Sequence, residues 1–160
     1  MKKLSLLLSL AAAALLTGCN DSKAPNVAPQ LGANSFVTET DVAITDKLIV
    51  SDKNGDSLLF TLVAGPQNGD LMLAADGSFS YTPAAEFTGS DSFMVEVSDG
   101  KLSDKGQVTI DVNVAVVSFL SYSRMAFTQD SQAEPLPLNG RQFNQDVMSE
   151  ADYADLINSQ

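Results

Sequence analysis

Between residues 36 and 114 the chain consists of short runs in which apolar and polar residues alternate, and this period of two is typical of half-buried β-strands. Clear examples are residues 93–97, Phe-Met-Val-Glu-Val, and residues 108–114, Val-Thr-Ile-Asp-Val-Asn-Val. Gly, Asp, Asn and Pro separate the runs, and Asp76-Gly77 is a strong hairpin signal. Six or seven short strands, with a turn about every 8–12 residues and no helical period, predict an all-β sandwich.

The alternation also predicts which side chains face the interior of the sandwich. The chain has one Cys, so an internal disulfide is excluded, and burial must stabilise the fold at about 1.5–3 kcal/mol for each large apolar side chain. The predicted core is Ile44, Leu48, Phe60, Leu62, Leu71, Phe79, Tyr81, Phe87, Phe93, Val95, Val97, Val108, Ile110 and Val112.

Composition excludes several classes of function. Twenty Asp and Glu against nine Lys and Arg give a net charge of −11, which is unsuited to binding nucleic acid through the protein surface. The chain has no His, so catalytic systems with an imidazole base and His/Cys zinc sites are excluded. It also has no Gly-rich phosphate loop and no nucleophile elbow. The sequence therefore predicts a protein that is not an enzyme.

Residues 1–18 have the features of a signal peptide. Two lysines precede an apolar stretch over residues 4–16, which is too short to span a bilayer stably as a helix. Residues 16–19, Leu-Thr-Gly-Cys, resemble the lipobox of bacterial lipoproteins. The resemblance implies cleavage before Cys19 and acylation of Cys19, which would then bind the lipid bilayer. The alternatives are an ordinary signal peptide with a chance Cys, or an uncleaved helix.

The resemblance also implies a location in the bacterial cell envelope. In lipoprotein sorting, an Asp directly after the acylated Cys retains the protein in the inner membrane. Here Asn20 takes that place and the Asp comes one residue later, at Asp21, so the outer membrane is favoured over the inner membrane. Residues 19–35 are rich in Asn, Ser, Pro and Ala, which predicts an extended tether after the acylated Cys.

Six motifs follow one another in a specific order over residues 26–114. They are 26–29 (Asn-Val-Ala-Pro), 52–58 (Asp-Lys-Asn-Gly-Asp-Ser-Leu), 66–69 (Pro-Gln-Asn-Gly), 76–83 (Asp-Gly-Ser-Phe-Ser-Tyr-Thr-Pro), 87–93 (Phe-Thr-Gly-Ser-Asp-Ser-Phe) and 97–100 (Val-Ser-Asp-Gly). This succession resembles the bacterial cadherin-like, Ig-like repeats of surface and adhesion proteins. The resemblance implies a seven-stranded Greek-key β-sandwich and, in many members, loops stabilised by calcium. This chain departs from the family pattern because it has one copy of the repeat, and because Asn54 stands where an Asp is frequent.

The candidate calcium ligands are carboxylate and amide side chains on turns. Asp52, Asn54 and Asp56 alternate around Gly55 and resemble the front half of a calcium loop. The loop lacks the terminal bidentate Glu and the flanking helices of an EF-hand. Plain turn chemistry is the alternative, since Asp and Asn side chains also bond to local backbone amides. Further ligands at the same pole, in the topology that the resemblance implies, are Glu39, Asp41 and Asp99.

Residues 115–160 form a tail of different composition. Residues 116–122 either prolong the last strand or fold over the sandwich, and residues 128–140, with two prolines, suit an extended linker. Residues 149–157 have the pattern of a short amphipathic helix capped by Ser149. Because so short a helix is unstable alone, the segment docks on the sandwich, docks on a partner, or is disordered. The prediction is a flexible tail.

These observations predict an acylated envelope lipoprotein that carries one Ig-like domain. Its role is a non-catalytic one in adhesion, scaffolding or assembly, with a protein or glycan partner that the sequence does not identify. The alternative is a carbohydrate-binding module, or an accessory subunit of an envelope enzyme or secretion system. The chain contains no Trp, which weighs against an aromatic platform for stacking on sugars.

Overall fold

Strands predominate in the part of the chain that the computed structural model describes, which is residues 24–146 and 149–154. The signal peptide, Cys19 and the end of the predicted 149–157 helix lie outside these residues. The strands are β1 (Gln30–Leu31), β2 (Ser35–Glu39), β3 (Ile44–Lys47), β4 (Val50–Ser51), β5 (Leu59–Ala64), β6 (Gly69–Leu73), β7 (Ser78–Pro83), β8 (Gly89–Ser98), β9 (Ser103–Asn113), β10 (Ala115–Ser118) and β11 (Arg141–Asn144).

Two sheets form the body of the fold. One has the strand order β2-β9-β8-β5 and the other has the order β3-β7-β6, and β1 and β4 form a separate antiparallel pair. All pairs within the two sheets are antiparallel except β2 with β9, which run parallel from Ser35 opposite Thr109 to Glu39 opposite Asn113. The all-β sandwich that the period of two predicted is confirmed.

The core lies between the two sheets and is made of the side chains that the alternation selected. The ring centroid of Phe79 on β7 lies 4.8 Å from that of Phe36 on β2 and 5.6 Å from that of Phe93 on β8. These ring contacts join the two sheets. Apart from Pro29 and Pro83, the buried apolar side chains of the described residues all belong to the predicted core: Leu48, Phe60, Phe79, Tyr81, Phe93, Val95, Val97, Val108, Ile110 and Val112.

Four predicted core residues are less buried than expected. Ile44, Leu71 and Phe87 are half-buried and pack against the core. The prediction for Leu62 is wrong, since this side chain is 40% exposed. The reason is that β5 is an edge strand whose pairing with β8 shifts between Leu62 and Ala64, so that the inner face is no longer fully covered there.

The tail is folded over residues 115–146, so the prediction of a flexible tail is wrong for this part of it. Strand β10 leads into helix α1 (Phe119–Thr128), and β11 then pairs in parallel with β10. Of the predicted segment 116–122, only the part up to Ser118 is therefore strand. Within 149–154 the predicted amphipathic helix begins as a 3₁₀ helix (Glu150–Tyr153). Among the described residues, no helix combines the length and hydropathy needed to cross a bilayer.

Tertiary contacts explain why α1 forms where the sequence showed no helical pattern. Ser118 caps it by accepting a hydrogen bond from Ser121 N, 2.9 Å away. The Tyr122 ring packs 4.9 Å from Phe143 of β11, and Phe127 packs 6.0 Å from Tyr153. A ten-residue helix with no acidic residue in its first turn is weak alone, so these aromatic contacts stabilise it.

Candidate functional site

The first group of predicted ligands lies at the end of the sandwich where the chain enters. Asp52 Oδ1 accepts hydrogen bonds from Asn54 N at 3.0 Å and from Asp56 N at 2.9 Å, which fixes the 52–56 turn. Asn54 in turn accepts a hydrogen bond from Val27 N through Oδ1 at 2.9 Å and donates from Nδ2 to Pro25 O at 3.3 Å. The turn therefore fastens the segment that precedes the first strand. We call the 52–56 loop, the 99–102 turn and residues 25–27 the proximal pole.

Asp99 belongs to the same pole. Its Oδ1 accepts hydrogen bonds from Lys101 N and Leu102 N, both at 2.7 Å, and its Oδ2 accepts one from Asn26 Nδ2 at 2.7 Å. The backbone bond with Leu102 and the side-chain bond with Asn26 hold the pKa of the Asp99 carboxyl below its ordinary value. Sequence reasoning missed the role of Asn26, although the first of the six motifs begins at this residue.

One oxygen at this pole is open to a cation. Asp52 Oδ2 is buried and has no hydrogen-bond partner among the described residues. A buried carboxylate oxygen without a donor is costly, and a calcium ion coordinated by oxygen would satisfy it. No set of three or more acidic, His or Cys side chains in 24–146 and 149–154 is close enough to form a ready metal cage. The described residues therefore contain no assembled metal site, and calcium binding at this pole stays a prediction.

Glu39 and Asp41 lie at the opposite end of the sandwich, which corrects the expectation that all six ligands share one pole. Glu39 ends β2 and pairs with Asn113 at the end of β9, whereas Asp99 lies before β9 begins. Strand β9 has eleven residues, so these two ends are about 30 Å apart. The expectation failed because β2 pairs in parallel with the last strand of the sandwich, and this carries its end away from the 52–56 loop.

Asp41 is engaged by the tail and by a neighbouring loop. Its Oδ1 accepts a hydrogen bond from Glu86 N at 2.8 Å, and its Oδ2 forms a 2.7 Å ion pair with Arg141 Nη2. The Glu86 backbone bond and the Arg141 guanidinium hold the pKa of Asp41 below its ordinary value, against the opposing effect of burial. Asn139 Nδ2 donates to Glu86 Oε2 at 2.6 Å. We call residues 40–42 and 84–87 the distal pole.

Residue 140 lies directly on the distal pole. Thr40 is only 2% exposed, and its Oγ1 has no hydrogen-bond partner among the described residues. A Cβ atom on Gly140 would lie 2.8 Å from this oxygen, so only glycine fits here without a shift. Gly140 also has a φ of +71°, and its carbonyl accepts a hydrogen bond from Ala115 N at 2.9 Å. A cleft of about 660 Å³ separates the pole from residues 134–138.

A third carboxylate, which sequence reasoning did not single out, lies in the interior. Asp91 is 5% exposed and accepts hydrogen bonds from Gln67 N, Asn68 N and Ser92 N at 3.0, 2.8 and 2.8 Å. The Tyr81 hydroxyl donates to it at 3.0 Å. Burial raises the pKa of Asp91, but these donors more than offset that effect and the net shift is downward. With both oxygens hydrogen-bonded inside the protein, Asp91 anchors the 65–69 loop.

The fold is an Ig-like β-sandwich followed by a folded C-terminal segment that packs on its distal pole. The family model of the bacterial cadherin-like domain matches residues 26–114. The chain therefore belongs to the bacterial cadherin-like domain family. This family is typically non-catalytic, and membership indicates an adhesive or structural role.

Solved structures with a similar chain path include a human protocadherin and two hydrolases. Human protocadherin-24 EC1-2 is 18% identical with a TM-score of 0.47, and the match covers 59% of this chain and 52% of that one. The endo-fucoidan hydrolases MfFcnA9 and MfFcnA4 of glycoside hydrolase family 107 are 26% and 23% identical, with TM-scores of 0.42 and 0.41. The matches cover 64% and 57% of this chain, but only 18% and 17% of the hydrolases. No curated protein matches the chain.

Proposed function

We propose that the protein is a lipoprotein that presents a single cadherin-like module from the outer membrane, in a non-catalytic adhesive, scaffolding or assembly role. The observation that carries the proposal is that the chain is already bound to the domain at residues 25–27, a few residues after Cys19 in the sequence. Residues 25–27 are hydrogen-bonded to Asn54 and Asp99, so the predicted 19–35 tether is fixed to the domain from Pro25 onward. Pro25 comes only six positions after Cys19 in the sequence, a length of chain that can span at most about 20 Å.

A link this short sets the orientation of the module on the bilayer. An acylated Cys19 would hold the proximal pole at the headgroups, because only about 20 Å of chain separates the two. The distal pole, about 30 Å away along β9, would then face away from the membrane together with the tail segment docked on it. The surface that meets a partner is therefore the distal pole.

The tyrosines of the chain do not favour the alternative of a carbohydrate-binding module. Tyr81 is fully buried in the core. The ring of Tyr122 packs on Phe143, and that of Tyr153 packs on Phe127. Each tyrosine is thus used in internal packing, which supports an adhesive or assembly role that depends on protein contacts.

The location is tested by separating inner and outer membranes on a density gradient. We expect the wild-type protein to sediment with the outer membrane. The control variant Asn20→Asp places the inner-membrane sorting residue directly after Cys19, so it should move most of the protein to the inner membrane. Wild-type protein in the inner-membrane or soluble fraction would contradict the outer-membrane proposal.

We also propose that calcium binds weakly at the proximal pole, with Asp52 Oδ2 as the principal ligand and Asn54 and Asp56 on the same loop. The Asp52 carboxylate oxygen that has no partner among the described residues supports this site, because a bound ion would satisfy it. An ion that binds only the folded state stabilises that state by mass action. One ligand is an amide and the loop offers few carboxylates, so a millimolar dissociation constant is expected. Asp99 adds charge from the same pole, whereas Glu39 and Asp41 take no part.

Thermal unfolding in calcium and in chelator, at matched ionic strength, tests the calcium site. At a tenfold excess over Kd, calcium should stabilise the wild type by about 1.4 kcal/mol. Asp52→Asn keeps the oxygen that orders the turn but removes the charge, so the stabilisation should disappear. Asp70→Asn makes the same change at an exposed position on β6 and should retain it. Equal melting of wild type and Asp52→Asn in both conditions would show that Asp52 serves only the turn.

A further inference from the structure

The distal pole holds residues 139–141 of the tail in the way that a binding site holds a peptide. Arg141 Nη2 meets Asp41 Oδ2 at 2.7 Å, and the two side chains are only 13% and 29% exposed. Asn139 Nδ2 meets Glu86 Oε2 at 2.6 Å. Gly140 covers the buried Thr40. Each of the three tail residues thus has its own contact on the pole.

The acceptor side of this site is built by the sandwich and not by the tail. Asp41 and Glu86 both have a φ of +60°, a left-handed conformation that is uncommon for residues other than glycine. Glu86 N donates to Asp41 Oδ1, and Thr38 Oγ1 donates to Val42 O, so bonds within the sandwich hold both loops. The Asp41 carboxylate and the Glu86 backbone are therefore held by the sandwich itself, independently of Arg141.

The tail, by contrast, is joined to the site by an exposed connection. Residues 130–135 are exposed, and Pro135 and Pro137 favour an extended path. Among the residues that the structure describes, the Thr40 hydroxyl has no hydrogen-bond partner beneath Gly140, so the segment leaves one polar group of the pole unsatisfied. If residues 139–144 came from a second molecule of this protein, they could form the same bonds to the pole and the same pairing with β10.

We propose that the distal pole is a docking site for residues 139–144 of a second copy of this chain, and that mutual exchange of this segment joins two molecules. The proposal rests on the proposed function, because it names the partner that the outward-facing pole meets. The exchange forms no new type of contact. Arg141 of each copy pairs with Asp41 of the other, and each β11 adds to the β10 of the other copy in the same parallel register.

Effective concentration decides which copy supplies the segment. Within one chain the linker holds the segment at a millimolar effective concentration, so dilute protein closes on itself. Copies anchored side by side in a membrane reach comparable local concentrations, and ten extended residues, 129–138, span about 30 Å between neighbours. The net charge of −11 on each chain opposes pairing, so exchange should increase as salt screens that repulsion.

A charge-exchange experiment tests the proposal in the full chain carrying Cys19→Ser, so that no acyl group brings copies together. In each single variant, Asp41→Arg or Arg141→Asp, residues 41 and 141 carry the same charge. They therefore repel each other both within one chain and between identical chains. When the two variants are mixed, each segment meets an opposite charge only on the other variant. We expect tagged Asp41→Arg to retain at least about tenfold more Arg141→Asp than it retains of untagged Asp41→Arg.

The double variant Asp41→Arg/Arg141→Asp restores the pair within one chain and reports whether the altered pole still folds. Its melting temperature should lie close to that of the wild type. Retention of the two single variants at equal, low levels would overturn the proposal. Strong retention of each variant by itself would also overturn it, because association would then use another surface.

A thiol cross-link gives a second measurement that does not reverse any charge. The tips of the Asn139 and Glu86 side chains are in contact, so cysteines at these two positions lie within reach of a short bis-maleimide reagent, and Cys19→Ser leaves them as the only thiols of the chain. With this reagent at high protein concentration, a mixture of Asn139→Cys and Glu86→Cys should form a covalently linked pair of chains. The double variant in dilute solution should close within one chain. A mixture that yields only uncross-linked chains would refute the exchange.

Discussion

Replacing Asp91 by Ala is expected to lower the free energy of unfolding by about 3–5 kcal/mol, a large fraction of the stability of a small domain. Asp91 is buried and accepts hydrogen bonds from Gln67 N, Asn68 N and Ser92 N and from the Tyr81 hydroxyl. Removing the carboxylate leaves several buried donors without a partner, and each costs about 1–3 kcal/mol. Equilibrium unfolding in denaturant measures the loss.

Tyr81→Phe is the matched control for this variant. It removes one hydroxyl from the same network but leaves the three backbone donors on Asp91, so a loss of only about 1–2 kcal/mol is expected. Equal losses for Asp91→Ala and Tyr81→Phe would contradict the role assigned to the carboxylate, since its backbone bonds would then contribute nothing.

The same network has a defined pH dependence. The net pKa of Asp91 is lowered in the folded protein, because its hydrogen-bond donors outweigh the opposing effect of burial. Its contribution to stability is therefore fully present above the unfolded-state pKa of about 3.9 and is lost as the pH falls through the lower folded-state pKa. Between pH 5 and pH 2, the free energy of unfolding should therefore fall more steeply for the wild type than for Asp91→Asn, which has no carboxylate to protonate at this position.

The interior of the sandwich could be predicted from the sequence because alternation is a local signal. Phe93, Val95 and Val97 face inward simply because every second residue of a strand lies on the same face. Leu62 was the exception, because its exposure depends on β5 being an edge strand with a pairing shift, and local sequence does not encode strand order. The core was thus predictable where the pairing partners did not matter.

The candidate sites depended on long-range pairing and were predicted less well. The 52–56 turn is local, and the structure forms it as expected. Glu39 and Asp41 were placed at the wrong end, because the parallel pairing of β2 with β9 joins residues more than 70 positions apart. The ion pair of Asp41 with Arg141 joins residues 100 positions apart, and nothing near either residue in the sequence indicates it.

The tail shows the same limit in a helical element. The segment Phe119–Thr128 has no acidic residue in its first turn and no buried residue, so its pattern alone predicts no helix. It is helical because Phe143 and Tyr153, which come later in the chain, supply aromatic contacts to it. An element that is stabilised by distant residues cannot be found from its own ten residues.

Acylation of Cys19 is the central claim of the account, and metabolic labelling with a fatty acid tests it most directly. Each methylene buried in the bilayer contributes about 0.8 kcal/mol, so two or three acyl chains on Cys19 would hold the cleaved protein at the membrane essentially permanently. Cys19→Ser removes the only thiol of the chain, whereas Asn20→Ser changes the next residue and keeps it. We expect label and membrane fractionation for wild type and Asn20→Ser, and unlabelled soluble protein or uncleaved precursor for Cys19→Ser. Equal labelling of Cys19→Ser and wild type would contradict the assignment of this protein as a lipoprotein anchored through Cys19.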